Sequence, residues 1–505
     1  MLSLYRIENG EVQIISCPPQ GIRKGEYLSI EDTSTEKSLI IQVVEIDYAN
    51  VPGILEDILR RSSIHKVNGE DYDPLEIKSY IELVKDAKVL RCKIRGALTR
   101  GEFTDDISWI PVRSRSRVVG IPDETLLKLI NPSRLLPIQI GRTQKKVRVD
   151  IDAKAIDGSL NIISGKKGTG KSHLAKTILL GLIDQGGLCL VFDINGEYTK
   201  LDYKSSGERN RFQKKMKVLI PGRNFKVDLR YAGLGSILSI MRSVMDTPGT
   251  STWEFRRIWN SLERRDAISI EEIFRSIDNI NHEYVREALF RRFQSLVDTG
   301  FFCDDPKSNT AFEEIFAEMN MGGAVILNLK DLPSMIRKIV VEFVLSKLSQ
   351  LLKRNIARAV FLFAEEAHLY LRDTYWEDIV TRMRHLGVFV TFVTNQPETI
   401  KQNVFRQSDN IFLFNFTNEN DLKAISRASR IDGYTIESIT RELPAHHCLM
   451  FGKVTRDLPL VVGIGRLDIQ TQGETRFFFT PLETTPEGIV DKSTQNNYQT
   501  ALQLK

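Results

Sequence analysis

Gly165-Lys166-Lys167-Gly168-Thr169-Gly170-Lys171-Ser172 constrains what this chain can be more than any other stretch of it. The eight residues satisfy G-x-x-x-x-G-K-[ST] in full. They sit between an apolar run, Leu160 to Ser164, that reads as a buried strand and a segment, Ser172 to Gln185, that reads as a helix stopped by Gly186-Gly187. A phosphate cradle needs that setting. The glycines let backbone N–H groups converge on phosphate oxygens where a side chain would intrude, and the helix N-terminus adds its partial positive charge. Lys171 contributes a point charge and Ser172 a hydroxyl for Mg2+. All eight residues are expected nucleotide contacts, with Ser172 also on the metal.

The rest of the chain is organised around that loop. With 505 residues, 42% of them hydrophobic, the chain has length and apolar content for several domains. A net charge of +5 permits a nucleic-acid partner without requiring one. Five scattered cysteines without a C-x-x-C argue for a reduced compartment and against structural zinc. The first residues carry no secretory pattern, and no apolar run approaches the ~18 residues of a membrane span, so a cytoplasmic protein with no membrane partner is expected. Residues 1–115 alternate in short runs and read as a small β-barrel, interrupted by a helical excursion near Pro52–Ser63. Residues 116–150 read as a linker leading into the core. Residues 151–470 alternate strand and helix, the mark of an α/β domain with a mostly parallel sheet, with a charged helical insert at 250–302. Its expected strands begin at Leu160, Leu188, Ala324, Ala359, Val388 and Asn410. Residues 471–505 read as a polar tail.

Two of those strands end on chemistry. Ala359 to Ala364 runs into Glu365 and Glu366. In P-loop enzymes a strand neighbouring the cradle presents one acid to the Mg2+ shell and a second acid polarises the attacking water. Glu365 fits the first role, its longer side chain reaching the metal through water where Asp is usual, and Glu366 fits the second. The plainer reading is a strand-to-helix junction whose acids favour the helix N-terminus. Val388 to Val393 ends in Thr394-Asn395-Gln396-Pro397, and amides there suit a group that orients a lytic water. Gln396 is the preferred sensor and Asn395 its rival, against a loop amide that merely satisfies backbone. His368 reads as packing the next turn or relaying nucleotide state.

These segments, in this order and spacing, resemble the HerA family of hexameric ATPases within the FtsK–HerA group. Asp193-Ile-Asn-Gly196-Glu197-Tyr198 is similar to its D-x-x-G-E-Y, Glu365-Glu366-Ala367-His368 to its E-E-A-H, and Arg384-His385-Leu386-Gly387-Val388 with Asn395-Gln396-Pro397 to its R-K-x-G-V and Q-R-P segments. Gly141-Arg142 falls where the family often carries I-G-R. The chain departs from the pattern at Lys167, at His385 and at Pro397, where an Arg is usual. The resemblance implies a RecA-like P-loop ATPase core with a helical insert, preceded by a barrel. It also implies ATP and Mg2+ as ligands and catalytic roles for Glu366, Gln396 and Arg384, with Arg384 as an arginine finger supplied in trans and Arg382 as its near rival. Asp193 and Arg142 join the nucleotide set on the same ground, Asp193 and Glu197 as interface acids or mere organisers of their turn, and Glu365 joins Ser172 at the metal.

The function implied is an ATP-driven homo-hexameric translocase of double-stranded DNA, working with a partner nuclease of NurA-like kind in DNA end processing. The alternative is a HerA-type ring that scaffolds and regulates a defence effector, an NADase or a nuclease, against phage. A motor of the FtsK or conjugative-pump class is a third reading, opposed by the absence of membrane segments and by the N-terminal barrel. DNA contacts would come from the basic run Lys204 to Lys217 and from Arg256, Arg257, Arg264, Arg265, Arg291 and Arg292, each of which also reads as an ordinary solvated face.

Overall fold

The computed structural model describes residues 2–470 except 9, 17–20, 34, 36, 49–86, 105, 132–134, 320, 372–376, 417 and 430. The Pro52–Ser63 segment and the 471–505 tail lie outside the described residues. The N-terminal strands are β1 (Leu2–Glu8), β2 (Glu11–Ser16), β3 (Tyr27–Asp32), β4 (Lys37–Tyr48), β5 (Lys88–Thr99), β6 (Glu102–Thr104) and β7 (Ser116–Gly120). They form one antiparallel sheet in the order β1-β2-β5-β4-β3-β7, with β6 on β5. The sheet curls until β1 and β7 touch, yet no ladder joins them among the described residues. It is a half-barrel, where the alternating runs predict a closed one. A register shift bends β1 between Leu4 and Arg6, and of its residues only Leu4 is buried, so closing that edge would gain little apolar area.

Why this sheet stays attached is written in β4. Strand side chains alternate faces, and both faces of β4 are covered. Leu39, Ile41 and Val43 fill the half-barrel's own core, while Ile40 packs with Tyr27 into the core of the next domain. The buried Gln42 between them donates from Nε2 to the Pro459 carbonyl at 2.8 Å, which also accepts the Tyr27 hydroxyl at 2.8 Å. Arg95 closes the seam. It donates to Gln42 Oε1 (3.1 Å) and to Thr435 Oγ1 (2.6 Å) and pairs with Asp432 at 3.2 Å.

The second domain follows α1 (Asp123–Ile130), β8 (Pro137–Arg142), β9 (Arg148–Asp152), β10 (Asn161–Ser164), α2 (Lys171–Asp184), β11 (Leu188–Asp193), β12 (Met216–Leu219) and β13 (Val227–Asp228). Helices α3 (Leu229–Ser243), α4 (Gly249–Glu263), α5 (Ile270–Asp278) and α6 (Glu283–Val297) come next, then β14 (Phe302–Cys303), α7 (Phe312–Glu318), β15 (Gly323–Asn328), α8 (Ser334–Lys353), β16 (Val360–Glu365) and β17 (Val388–Thr394). The order ends with α9 (Gln402–Arg406), β18 (Asn410–Leu413), α10 (Glu419–Ala428), α11 (Gly433–Thr440), β19 (His447–Gly452) and β20 (Leu460–Ile464). Among the described residues, eleven strands make one sheet, β12-β15-β11-β16-β17-β10-β18-β19-β20-β8-β9, parallel from β12 to β18 and antiparallel beyond. Both faces are covered, as a parallel sheet requires. Along β11, Leu190 and Phe192 face the cluster built with α3 to α6 and α8, while Cys189 and Val191 face α2 and the half-barrel.

Two features differ from the sequence reading. Residues 137–152 form β8 and β9 and extend the main sheet, and β7, at 116–120, pairs with β3. The acid-bearing strand β16 is not beside the P-loop strand β10, because β17 runs between them. At ~4.8 Å per strand, the acids and the P-loop are therefore separated by roughly 10 Å at the sheet's edge, room for a triphosphate.

Replacing Arg95 with Ala removes an ion pair and leaves Gln42 Oε1 without its donor. The expected cost is about 1–3 kcal/mol, read as a lower denaturant midpoint with unchanged nucleotide affinity. An unchanged midpoint would show that the seam does not depend on Arg95.

Candidate functional site

The carboxyl ends of β10, β11, β16 and β17 open onto a cleft of about 370 Å3 lined by Lys167, Gly168, Lys171, Ser172, Asn195, Glu197, Glu365, Glu366, His368, Asn395 and Gln396 among others. This is where open α/β sheets bind ligands. The P-loop turns sharply into α2, and its glycines are required. A Cβ on Gly165 would lie 2.4 Å from Phe414 Cβ, and Gly170 caps α2 at φ 114° with His446 Nδ1 3.0 Å from where its Cβ would be. The loop is clamped from behind. Lys166 N–H donates to the Asn415 carbonyl (3.1 Å), and His446 N–H donates to the Thr169 carbonyl (2.9 Å). Lys171 Nζ folds back onto the Lys166 carbonyl at 2.8 Å. Burial lowers the lysine's pKa, while Glu366, Glu365 and Glu197 pull it back up.

Glu366 has the most constrained backbone in the site, a left-handed conformation at φ 44°, ψ 48°. Such a conformation costs a non-glycine residue about 1–3 kcal/mol. It is held there by β17. The Glu366 N–H donates to the Val393 carbonyl (2.8 Å), Oε2 accepts from Thr394 Oγ1 (2.9 Å) and Oε1 accepts from the Asn395 N–H (3.2 Å). The Thr394 hydroxyl also accepts from the Gln396 N–H at 3.1 Å. One hydroxyl thus ties the acid to the turn that carries Gln396, whose exposed side chain borders the cleft. His368 Nδ1 stands 3.7 Å from Glu366 Oε2.

Glu365 is buried beneath. Burial, with the Glu197 and Asp193 charges adding to it, pushes its pKa up to about 8, and Tyr198 donates to its Oε1 at 2.8 Å. Among the described residues, its Oε2 is buried with no hydrogen-bond partner, as is the Tyr370 hydroxyl. An orphaned carboxylate oxygen across the cleft from the Ser172 hydroxyl fits a magnesium shell, which usually keeps several waters. Ser172 and Glu365 would hold Mg2+ there, and the ion would supply charge neutralisation at the phosphate oxygens.

The structure brings Lys167, Gly168, Lys171, Ser172, Glu365, Glu366 and Gln396 to one cleft; Gly165, Lys166, Thr169 and Gly170 shape its wall. Three residues from the sequence set stand elsewhere. Asp193 is fully buried and accepts from the Glu197 and Tyr198 N–H groups, both at 2.9 Å, so it organises its turn. Arg142 lines a separate cleft. Arg384 lies toward the amino end of β10, donating to the Gly158 carbonyl (2.9 Å) and pairing with Asp409 (3.0 Å). Arg382 is exposed and pairs with Asp378. Sequence reasoning missed Thr394 and Tyr198 as positioning groups. Tyr198 closes the G-E-Y turn, but nothing local says that its hydroxyl reaches Glu365.

The basic run is largely engaged in ion pairs. Lys204 pairs with Glu208, Arg209 with Asp202, Arg211 with Asp184 and Lys217 with Glu318. In the insert Arg257 pairs with Glu254 and Arg291 with Glu287, and Arg292 donates to the Met245 and Asp246 carbonyls.

Glu366→Gln keeps the size of the side chain and should lower nucleotide turnover by roughly 10²-fold or more while nucleotide still binds, whereas Lys171→Ala should abolish binding. Near-normal turnover in both would place the chemistry elsewhere. Tyr198→Phe should reduce turnover roughly tenfold and raise the Mg2+ concentration needed for nucleotide binding, leaving Mg2+-free binding unchanged. An unaltered Mg2+ requirement would reduce the Tyr198 contact to packing.

Comparison with known proteins follows the same lines. Residues 138–348 match the model of the family described as "Helicase HerA, central domain". The chain is 22% identical over 475 residues to a probable helicase of Methanocaldococcus jannaschii, covering 89% of this chain and 88% of that one. It is 20% identical over 500 residues to the "DNA double-strand break repair helicase HerA" of Sulfolobus acidocaldarius, covering 90% and 91%. Among solved structures, the bacterial conjugative coupling protein TrwB superposes with a TM-score of 0.48 at 13% identity, over 68% of this chain and 92% of that one. Residues 138–348, which hold the P-loop and the Tyr198 turn, match the HerA central-domain model, and the chain as a whole is similar over most of its length to proteins named as HerA helicases.

Proposed function

We propose that this chain is an ATP-driven motor of HerA type that works as a homo-hexamer on double-stranded DNA, with a separate nuclease of NurA-like kind as partner. The observation that carries the reading is Glu366, fixed by Thr394 and Asn395 across the cleft from Lys171. A carboxylate so held accepts the proton of a water attacking the γ-phosphate, and the Thr394 hydroxyl passes its position to the Gln396 turn. Lys171, already partly desolvated, exchanges the Lys166 carbonyl for phosphate oxygens. In phosphoryl transfer, positioning and charge stabilisation supply most of the rate.

Arg384 supports a shared site. A finger acting in trans has to stand away from its own P-loop, and Arg384 does, at the other end of β10. Asp409 orients it. Burial alone would raise the pKa of Asp409, but the Leu160 N–H, Lys453 and Arg384 outweigh that and hold it below the usual carboxylate range, so the ion pair stays charged. The relatives named as DNA double-strand break repair helicases support DNA as the track.

The test is ATP turnover with and without linear duplex DNA across a range of salt. The reading expects stimulation that weakens steeply as salt rises. No stimulation at any ionic strength would contradict a translocase and favour a ring that regulates an effector. Arg384→Ala should lower turnover with nucleotide affinity kept, and mixing it with wild type should change turnover per active site. Strict additivity would end the trans assignment.

A further inference from the structure

On the other flank of the P-loop from the acids lies a second cleft, of about 420 Å3, that shares no lining residue with the first. Four cationic or protonatable side chains reach it from separate parts of the chain: Arg23 before β3, Arg142 at the end of β8, Lys146 in the β8–β9 turn and His447 at the start of β19. No carboxylate among the described residues lines it. The acids nearby are engaged by the adjacent lysines instead. Lys24 pairs with Glu45 and Glu442, and Lys145 with Glu26 and Asp123. Among the described residues the side chains of Arg23, Arg142 and Lys146 have no acidic partner.

Like charges gathered in one concavity repel, and low-dielectric walls focus their field on whatever enters. The donors are of the kind that grips phosphate, two guanidinium forks and an ammonium. The cleft is also wired to the nucleotide loop. The carbonyl of Gly465 in its wall accepts from His173 Nε2 at 2.6 Å, and His173 follows Ser172. His446, next to His447, is the residue that clamps the Thr169 carbonyl.

We propose that this cleft is a phosphate-anion site separate from the P-loop, filled by backbone phosphates of a polynucleotide or by the phosphates of a second free nucleotide. The polynucleotide source rests on the DNA reading above, while the site itself does not. A ligand there presses on the same backbone that shapes the P-loop, so its occupancy is felt at the site of hydrolysis.

The test uses the full chain carrying Arg23→Gln, Arg142→Gln and Lys146→Gln, whose melting temperature should match the parent because these side chains are exposed and make no hydrogen bond or ion pair among the described residues. Tripolyphosphate is titrated calorimetrically into Lys171→Ala chains, where the P-loop is disabled, with and without the three changes. A short linear duplex is titrated into otherwise wild-type chains at several salt concentrations. The triple change should weaken tripolyphosphate binding roughly tenfold or more, and a polynucleotide source should flatten the duplex salt slope by about 0.9 per lost phosphate contact. Loss for tripolyphosphate with duplex binding unaffected assigns the site to a free nucleotide, and it then survives failure of the DNA reading. Two results overturn it: both titrations unchanged, or no tripolyphosphate binding to Lys171→Ala while the triple change weakens an ATP analogue at the intact P-loop, which would make the cleft an extension of the nucleotide site.

Discussion

The hydroxyl of Thr394 is the joint on which the site turns. It donates to Glu366 and accepts from the Gln396 backbone, so the end of one strand fixes an acid belonging to the next. Without that hold, Glu366 would have no reason to keep a left-handed backbone. With it, the strain is offset by a carboxylate whose two oxygens each have a donor. The sheet order makes this possible, because β17 lies between the P-loop strand and the acid strand and touches both. Glu366 and the turn that carries Gln396 are thus both held from the end of β17.

Beneath this layer the structure keeps a second acid in reserve. Glu365 accepts from Tyr198 through one oxygen, and its other oxygen has no partner among the described residues, in surroundings that favour its neutral form. A buried carboxyl with a free oxygen is costly unless something arrives to use it. Asp193 carries no such vacancy; its oxygens are taken by the turn that presents Tyr198. The D-x-x-G-E-Y stretch thus reaches Glu365 through a tyrosine, although its acids are the residues that first draw notice.

Much of this was legible in the sequence, and what was not has a physical cause. The P-loop, its strand and its helix are local features, and the parallel strands are apolar on both faces, so their runs stand out. The short strands β8, β9 and β12 do not, because a four- to six-residue run at or next to a sheet edge looks like a loop until its partner is known. That the barrel is only half closed was hidden for the same reason: it depends on whether β1 and β7, distant in the sequence, share a ladder as well as a contact. Glu365, Glu366 and Gln396 were read from strand ends, where position follows from chain direction. Arg142 and Arg384 rest on the family resemblance, and their surroundings come from Arg23, His447 and Asp409, which no motif reports.

A structure of the chain with Mg2+ and a non-hydrolysable ATP analogue would test the central claim most directly. Lys171 Nζ should leave the Lys166 carbonyl for the β- and γ-phosphates, with Glu366 still bonded to Thr394 and Asn395 and facing the γ-phosphate. A triphosphate bound elsewhere, or a Glu366 released from β17 and turned away from it, would contradict the account.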